Sequence, residues 1–211
     1  MVATPTPPRL PPIPAEAWDE EARAMLRGRI KNADRYLTDG PDAPRMPNVL
    51  GVLAHHRELA SAWLGYNGEL LDRPALDPRY RELLILRVAW RTRSKYEWTQ
   101  HVMLGKRYGL TDEQVDAIAR GWGISDSGES DVWTPLERLL LAAADELLDK
   151  YRVGDATWAA LAETLDARQL LELLFVVGSY LCVAMVFNSV DLELDPEMDP
   201  SLVPELFATE E

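Results

Sequence analysis

The sequence predicts an all-α protein, on three observations. Apolar residues recur at helical spacing along most of the chain, no segment alternates polar and apolar residues between hairpin turns, and capping residues mark one helix start after another. Residues 1–14 hold six of the 15 prolines and predict an extended arm, free or lying along a neighbouring subunit. Residues 18–37 and 48–71 carry helical spacing. Asp77 before Pro78 is an N-cap followed by proline in the first turn, opening a helix to about residue 91. Ser94 with Glu97 reads as a capping box for a helix that stops at Gly109. Thr111 with Gln114 opens the next. After a glycine- and serine-rich linker over residues 121–133, Thr134, Pro135 and Glu137 open another, and Asp155 and Asp166 (with Gln169) cap the last two.

Residues 170–187 are apolar except for Glu172, Gly178, Ser179 and Tyr180. Flanking basic residues and a second span are both lacking, so this predicts a core helix of a bundle or oligomer rather than a membrane segment. An acidic, proline-containing tail over residues 195–211 predicts a second extended arm. The domain reading is therefore an arm at 1–14, one helical domain at 15–194 and a tail at 195–211.

Composition narrows the function. The 211 residues carry a net charge of −13, the wrong sign for coating nucleic acid or an anionic membrane. The single cysteine, Cys182, cannot form a dithiol site and reads as a small buried hydrophobe. Three histidines are few for a metal centre, and no glycine-rich phosphate loop is present, so neither a metal nor another cofactor is expected. The start of the chain lacks a basic region and an apolar core, which predicts a cytoplasmic protein.

Chemistry concentrates between residues 79 and 101. Glu82 and Arg87 sit on a helix with almost no polar face and are candidates for partial burial, although Glu82 in an exposed first turn is the plainer expectation. Glu97 and His101, one turn apart, project from one helix face and can share a proton, unless Glu97 only completes a cap. Tyr96 and Trp98 flank them as pocket walls or as core. Arg79, Arg81, Arg87, Arg91 and Arg93 reverse the local charge. A guanidinium fork suits a substrate carboxylate, but these residues share no helical face and read mostly as salt-bridge partners.

The run Arg-Glu-Leu-Leu-Ile-Leu-Arg-Val-Ala-Trp-Arg-Thr-Arg-Ser-Lys-Tyr-Glu-Trp-Thr-Gln-His at 81–101, with Gly-Leu-Thr-Asp-Glu-Gln-Val at 109–115, resembles the carboxymuconolactone decarboxylase family. Asn48 and the closing segment from Tyr180 to Asn188 resemble its longer members. The resemblance implies a helical bundle assembled as a trimer or hexamer. It also implies a small-molecule lyase or isomerase site at His101, Glu97 and Glu82, with Trp98, Tyr96, Arg87, Tyr180 and Asn188 as substrate contacts; the alternative is a binding or structural oligomer of the same fold without turnover. In that reading His101 donates the proton, Glu97 orients it and Glu82 is a second acid or base. The related alkylhydroperoxidase D branch is similar in spacing but carries Cys-x-x-Cys before the histidine. Those cysteine positions fall here on Ser94 and Glu97, so its thiol chemistry is unavailable.

Overall fold

The computed structural model describes residues 7–29, 31, 33–38, 43–120 and 132–208, and among these every regular element is a helix. In chain order they are α1 (Glu20–Ala24), α2 (Asn48–Leu53), α3 (Arg57–Asp72), α4 (Pro78–Thr92), α5 (Lys95–Arg107), α6 (Asp112–Arg120), α7 (Pro135–Lys150), α8 (Asp155–Ala162) and α9 (Ala167–Ser189), with short 3-10 turns between some of them. Residues 1–6, 121–131 and 209–211, parts of the expected arm, linker and tail, lie outside the described residues. The chain divides into two compact units, Met1–Arg73 with Val186–Glu197 and Pro74–Met185 with Met198–Glu211. The 15–194 segment expected as one domain is thus shared between them.

In the first unit Trp18, Ala22, Met25 and Leu26 follow helical spacing into a core with Leu50, Ala54, Ala60 and Leu64. The helix expected over 18–37 is interrupted all the same. Among its described residues only Glu20–Ala24 is α-helical, capped by Asp19 on the Ala22 amide at 3.0 Å, and Gly28 takes a positive φ of 65°. Asn48 is buried, its amide donating to Asp195 at 2.7 Å and its side chain to the carbonyls of Glu193 and Leu194. The proline arm is not free over residues 7–14. The Ile13 amide donates to Gly51, and a Cβ on Gly51 would lie 2.6 Å from that of Pro12, so only glycine admits the arm.

The second unit is built around α4, in which every residue from Arg81 to Ala89 is buried and which packs against α5, α6 and α7. Its start is as expected, with Asp77 accepting from the Arg79 amide at 2.8 Å. The reciprocal caps Thr111/Gln114, Thr134/Glu137 and Asp166/Gln169 all form. Arg79 links two of them, donating to Gln114 at 3.0 Å and to the buried Glu137 carboxylate at 2.7 Å. Gly105 allows α5 to close on α4 beside Leu86 and Leu110, and Gly109 ends that helix region at φ 92°. Asp155 is not a cap: Gly154 takes that position, and its amide donates to Glu146 at 2.7 Å.

Two further expectations need correction. α9 is buried along one face only: Leu173, Val176, Val177 and Tyr180 are inside, while Leu171, Phe175, Met185 and Cys182 are exposed. Cys182 is therefore not a core residue. The tail is not a free arm either, since Trp98 donates its indole N–H to Leu202 at 2.9 Å and Phe207 is buried between Trp90 and Trp98.

Candidate functional site

α4 and α5 bring three charged or titratable side chains together in the interior of the second unit. Arg81 and Glu82 are neighbours in sequence and both buried. The Arg81 Nε and Nη2 atoms donate to Glu82 Oε1 at 3.1 and 3.0 Å, and the Tyr108 ring lies 5.5 Å from the guanidinium carbon. The other carboxylate oxygen, Oε2, meets His101 Nδ1 at 2.6 Å. Burial alone pushes Glu82 up, but the charge and hydrogen bond of His101, then those of Arg81, outweigh it and hold the carboxyl below its ordinary range. An ionised Glu82 only accepts, so Nδ1 carries a proton and donates it to Oε2, and Nε2 is the ring nitrogen turned away from Glu82. The ring is held edge-on to Tyr180 of α9, centroids 5.1 Å apart. Glu82, expected as an exposed first-turn residue, is thus wholly buried, because α4 is enclosed from its first turn onward.

Glu97 differs from the expected cap. Ser94 precedes α5 as its N-cap residue but makes no capping bond, and Ser94 Oγ and both Glu97 carboxyl oxygens are buried with no hydrogen-bond partner among the described residues. Glu97 is 1% exposed, and burial with nothing to offset it pushes its carboxyl well above the ordinary value. The orienting partner of His101 is Glu82 rather than Glu97. Two carboxyl groups on adjacent helices are therefore pushed in opposite directions, Glu82 toward its ionised form and Glu97 toward its neutral form, with an imidazole beside the first. Such a pair can supply a base and an acid at the same pH.

The remaining candidates separate. Tyr96 is buried on α5, and Trp98 is tied into the aromatic cluster with Trp90 and Phe207. Arg87 forks onto Asp145 at 2.8 and 2.9 Å and donates to the Ile118 carbonyl at 3.1 Å, so its guanidinium braces α4 against α7 and the end of α6. Asn188 is exposed near the end of α9 and belongs to the first unit. Arg81 was overlooked as a site residue. Two adjacent charges inside an apolar helix were its signature, since neither is buried without a partner. No cluster of histidine, cysteine and carboxylate side chains suited to a metal occurs among the described residues.

Residues 57–146 match the profile of the carboxymuconolactone decarboxylase family. The match spans less than half of the chain and includes the whole of α4 and α5, and with them Glu82, Glu97 and His101. The fold is also shared with solved structures. The alkylhydroperoxidase D core of an uncharacterized peroxidase-related protein from Ralstonia eutropha JMP134 superposes with a TM-score of 0.71 at 17% identity, covering 92% of this chain and 95% of that one. An uncharacterized peroxidase-related protein from Silicibacter sp. TM1040 gives 0.71 at 15% identity, over 93% and 97%. The debrominase Bmp8, as a cysteine-to-alanine variant in complex with 2,3,4-tribromopyrrole, gives 0.67 at 14% identity, over 94% and 96%. No curated protein matches the chain in sequence.

Proposed function

We propose that this chain is a cytoplasmic, cofactor-independent lyase or isomerase that moves a proton on a small carboxylated or enolisable compound. The observation that carries the reading is the 2.6 Å contact between His101 Nδ1 and Glu82, which fixes the imidazole tautomer and leaves Nε2 to exchange a proton with substrate. Glu97 is the complementary acid. In a decarboxylation the bond to the leaving carboxylate breaks, its electron pair delocalises toward a conjugated carbonyl, carbon dioxide departs and a proton is delivered to carbon. In an isomerisation the same groups remove and return a proton. Both need a stabilised oxyanion and a positioned proton carrier.

The decarboxylase-family match supports a catalytic reading, and the debrominase of similar fold is compatible with it. We also propose that the protein works as a homo-oligomer, a trimer or hexamer in keeping with the family resemblance. The exposed apolar stripe of α9 supports assembly. The test of the reaction is His101→Asn, assayed by exchange of carbon-bound protons of small ketones and lactones into deuterated solvent. Exchange should fall ~10²-fold or more, as loss of a general base does. Exchange at the wild-type rate removes His101 as the proton carrier.

A further inference from the structure

Buried polar groups without partners mark where a ligand, or water standing in for one, completes a structure. Three such atoms lie within a single turn at the start of α5: Ser94 Oγ and both carboxyl oxygens of Glu97. Positions three apart share a helix face, and His101, one turn further along, shares it with Glu97. These side chains thus stand unpartnered on the helix face that also carries His101, whose Nε2 makes no hydrogen bond among the described residues, and Ser94 and Glu97 occupy the position at which their helix enters the core.

The charges nearby decide what these groups can receive. Glu82 takes up both His101 and Arg81, and Arg87, the other buried cation of α4, is spent on Asp145. An anion brought here leaves water and meets no uncommitted cation on α4, a costly exchange. A neutral acceptor oxygen meets hydroxyl donors and pays little.

We infer that Glu97 and Ser94 form a binding site for the carbonyl oxygen of a neutral, enolisable compound, a ketone, aldehyde or lactone, rather than for a substrate carboxylate. This rests on the acid–base reading above and selects the enolisable branch of it. His101 Nε2 takes a proton from the carbon next to the carbonyl. The C–H electron pair becomes the new carbon–carbon π bond, and the carbonyl π pair moves onto oxygen, where the Glu97 and Ser94 hydroxyls hold it. Return of the proton to the same or a conjugated carbon closes the cycle with no other reactant.

The test uses two aromatic probes of similar size, 4-fluorophenol as a neutral enol mimic and 4-fluorobenzoate as a carboxylate, titrated into the full chain at neutral pH and read by fluorine NMR. The phenol should bind saturably, and the benzoate should neither bind nor compete. Glu97→Gln and Ser94→Ala, checked for wild-type helicity, should each weaken the phenol by about tenfold, the worth of one hydrogen bond to a polarised oxygen. Infrared spectra should show a protonated carboxyl band in the wild type that Glu97→Gln lacks. Equal or tighter benzoate binding, binding of neither probe, an unchanged phenol affinity in both variants, or no protonated band each overturns the inference. His101→Asn distinguishes the two readings. Phenol binding kept with exchange lost upholds both, and binding kept with exchange at the wild-type rate removes the proton-transfer reading alone.

Discussion

Replacing Glu97 with glutamine should change how stability responds to pH more than it changes stability itself. In the unfolded chain this carboxyl ionises near its ordinary value of 4.5, whereas in the folded protein burial without a partner pushes it well above. Between those two values the folded state keeps a proton that the unfolded state has released. Stability is therefore full below the ordinary value and declines as pH rises toward the value Glu97 has when folded, at ~1.4 kcal/mol per pH unit. In a chain of this size each kcal/mol moves Tm by roughly 2–4 °C, so the wild type should lose ~3–6 °C per pH unit relative to Glu97→Gln. Glutamine carries an unmatched amide into the same place, but that cost is constant with pH and leaves the slope untouched. Thermal melts by circular dichroism in small steps from about pH 5 upward read the difference directly. Parallel curves for the two proteins would mean that the carboxyl is solvated or paired, and would refute both its neutral state and its role as an acid.

Glu82→Gln should do the opposite. Glu82 is held below its ordinary range, so its contribution is present above the unfolded value and is lost as pH falls through the folded one. The variant should therefore flatten the acid limb of the Tm profile, and an unaltered limb counts against the ion pairs with His101 and Arg81. Glu137→Ala takes the carboxylate away from the Arg79 charge and the Thr134 amide in a mostly buried setting and should cost ~3 kcal/mol by urea denaturation, where a cost below about 1 would mean that the pair is solvated. Cys182→Ala should leave activity and Tm unchanged, since the thiol is exposed and is the chain's single cysteine; lost activity in a folded variant would reopen thiol chemistry. Sedimentation velocity should find an oligomer that Phe175→Asp weakens, whereas a wild-type monomer at micromolar concentration removes the assembly proposal.

The fold was legible wherever its determinants are local. The caps at Asp77, Thr111, Thr134 and Asp166 involve residues two or three apart, so sequence spacing specifies them and the structure repeats them. Ser94 with Glu97 has the same spacing and fails as a cap, because burial of the α5 N-terminus is a tertiary fact that spacing does not encode. Residues near His101 could be nominated from their chemistry, but their pairing could not. Glu82 reaches His101 from another helix, and Arg87, nominated for substrate, is claimed by Asp145 58 residues away. Phe207 shows the same limit, since a proline-containing acidic tail gives no hint that one aromatic side chain anchors it on Trp90 and Trp98.

That Arg81 and Glu82 are adjacent has a consequence for how the protein acquires its interior charge. Closing a contact between chain neighbours carries almost no entropic cost, so the pair can form as soon as α4 winds, before any other helix docks. What collapse then removes from water is a compensated dipole, far less costly to dehydrate than two separate ions. His101 joins from only 19 residues away, across the short turn between α4 and α5. The charged centre is therefore a product of one helical hairpin with low contact order, and it should assemble early in folding, ahead of the contacts that α7 and α9 later lay over it.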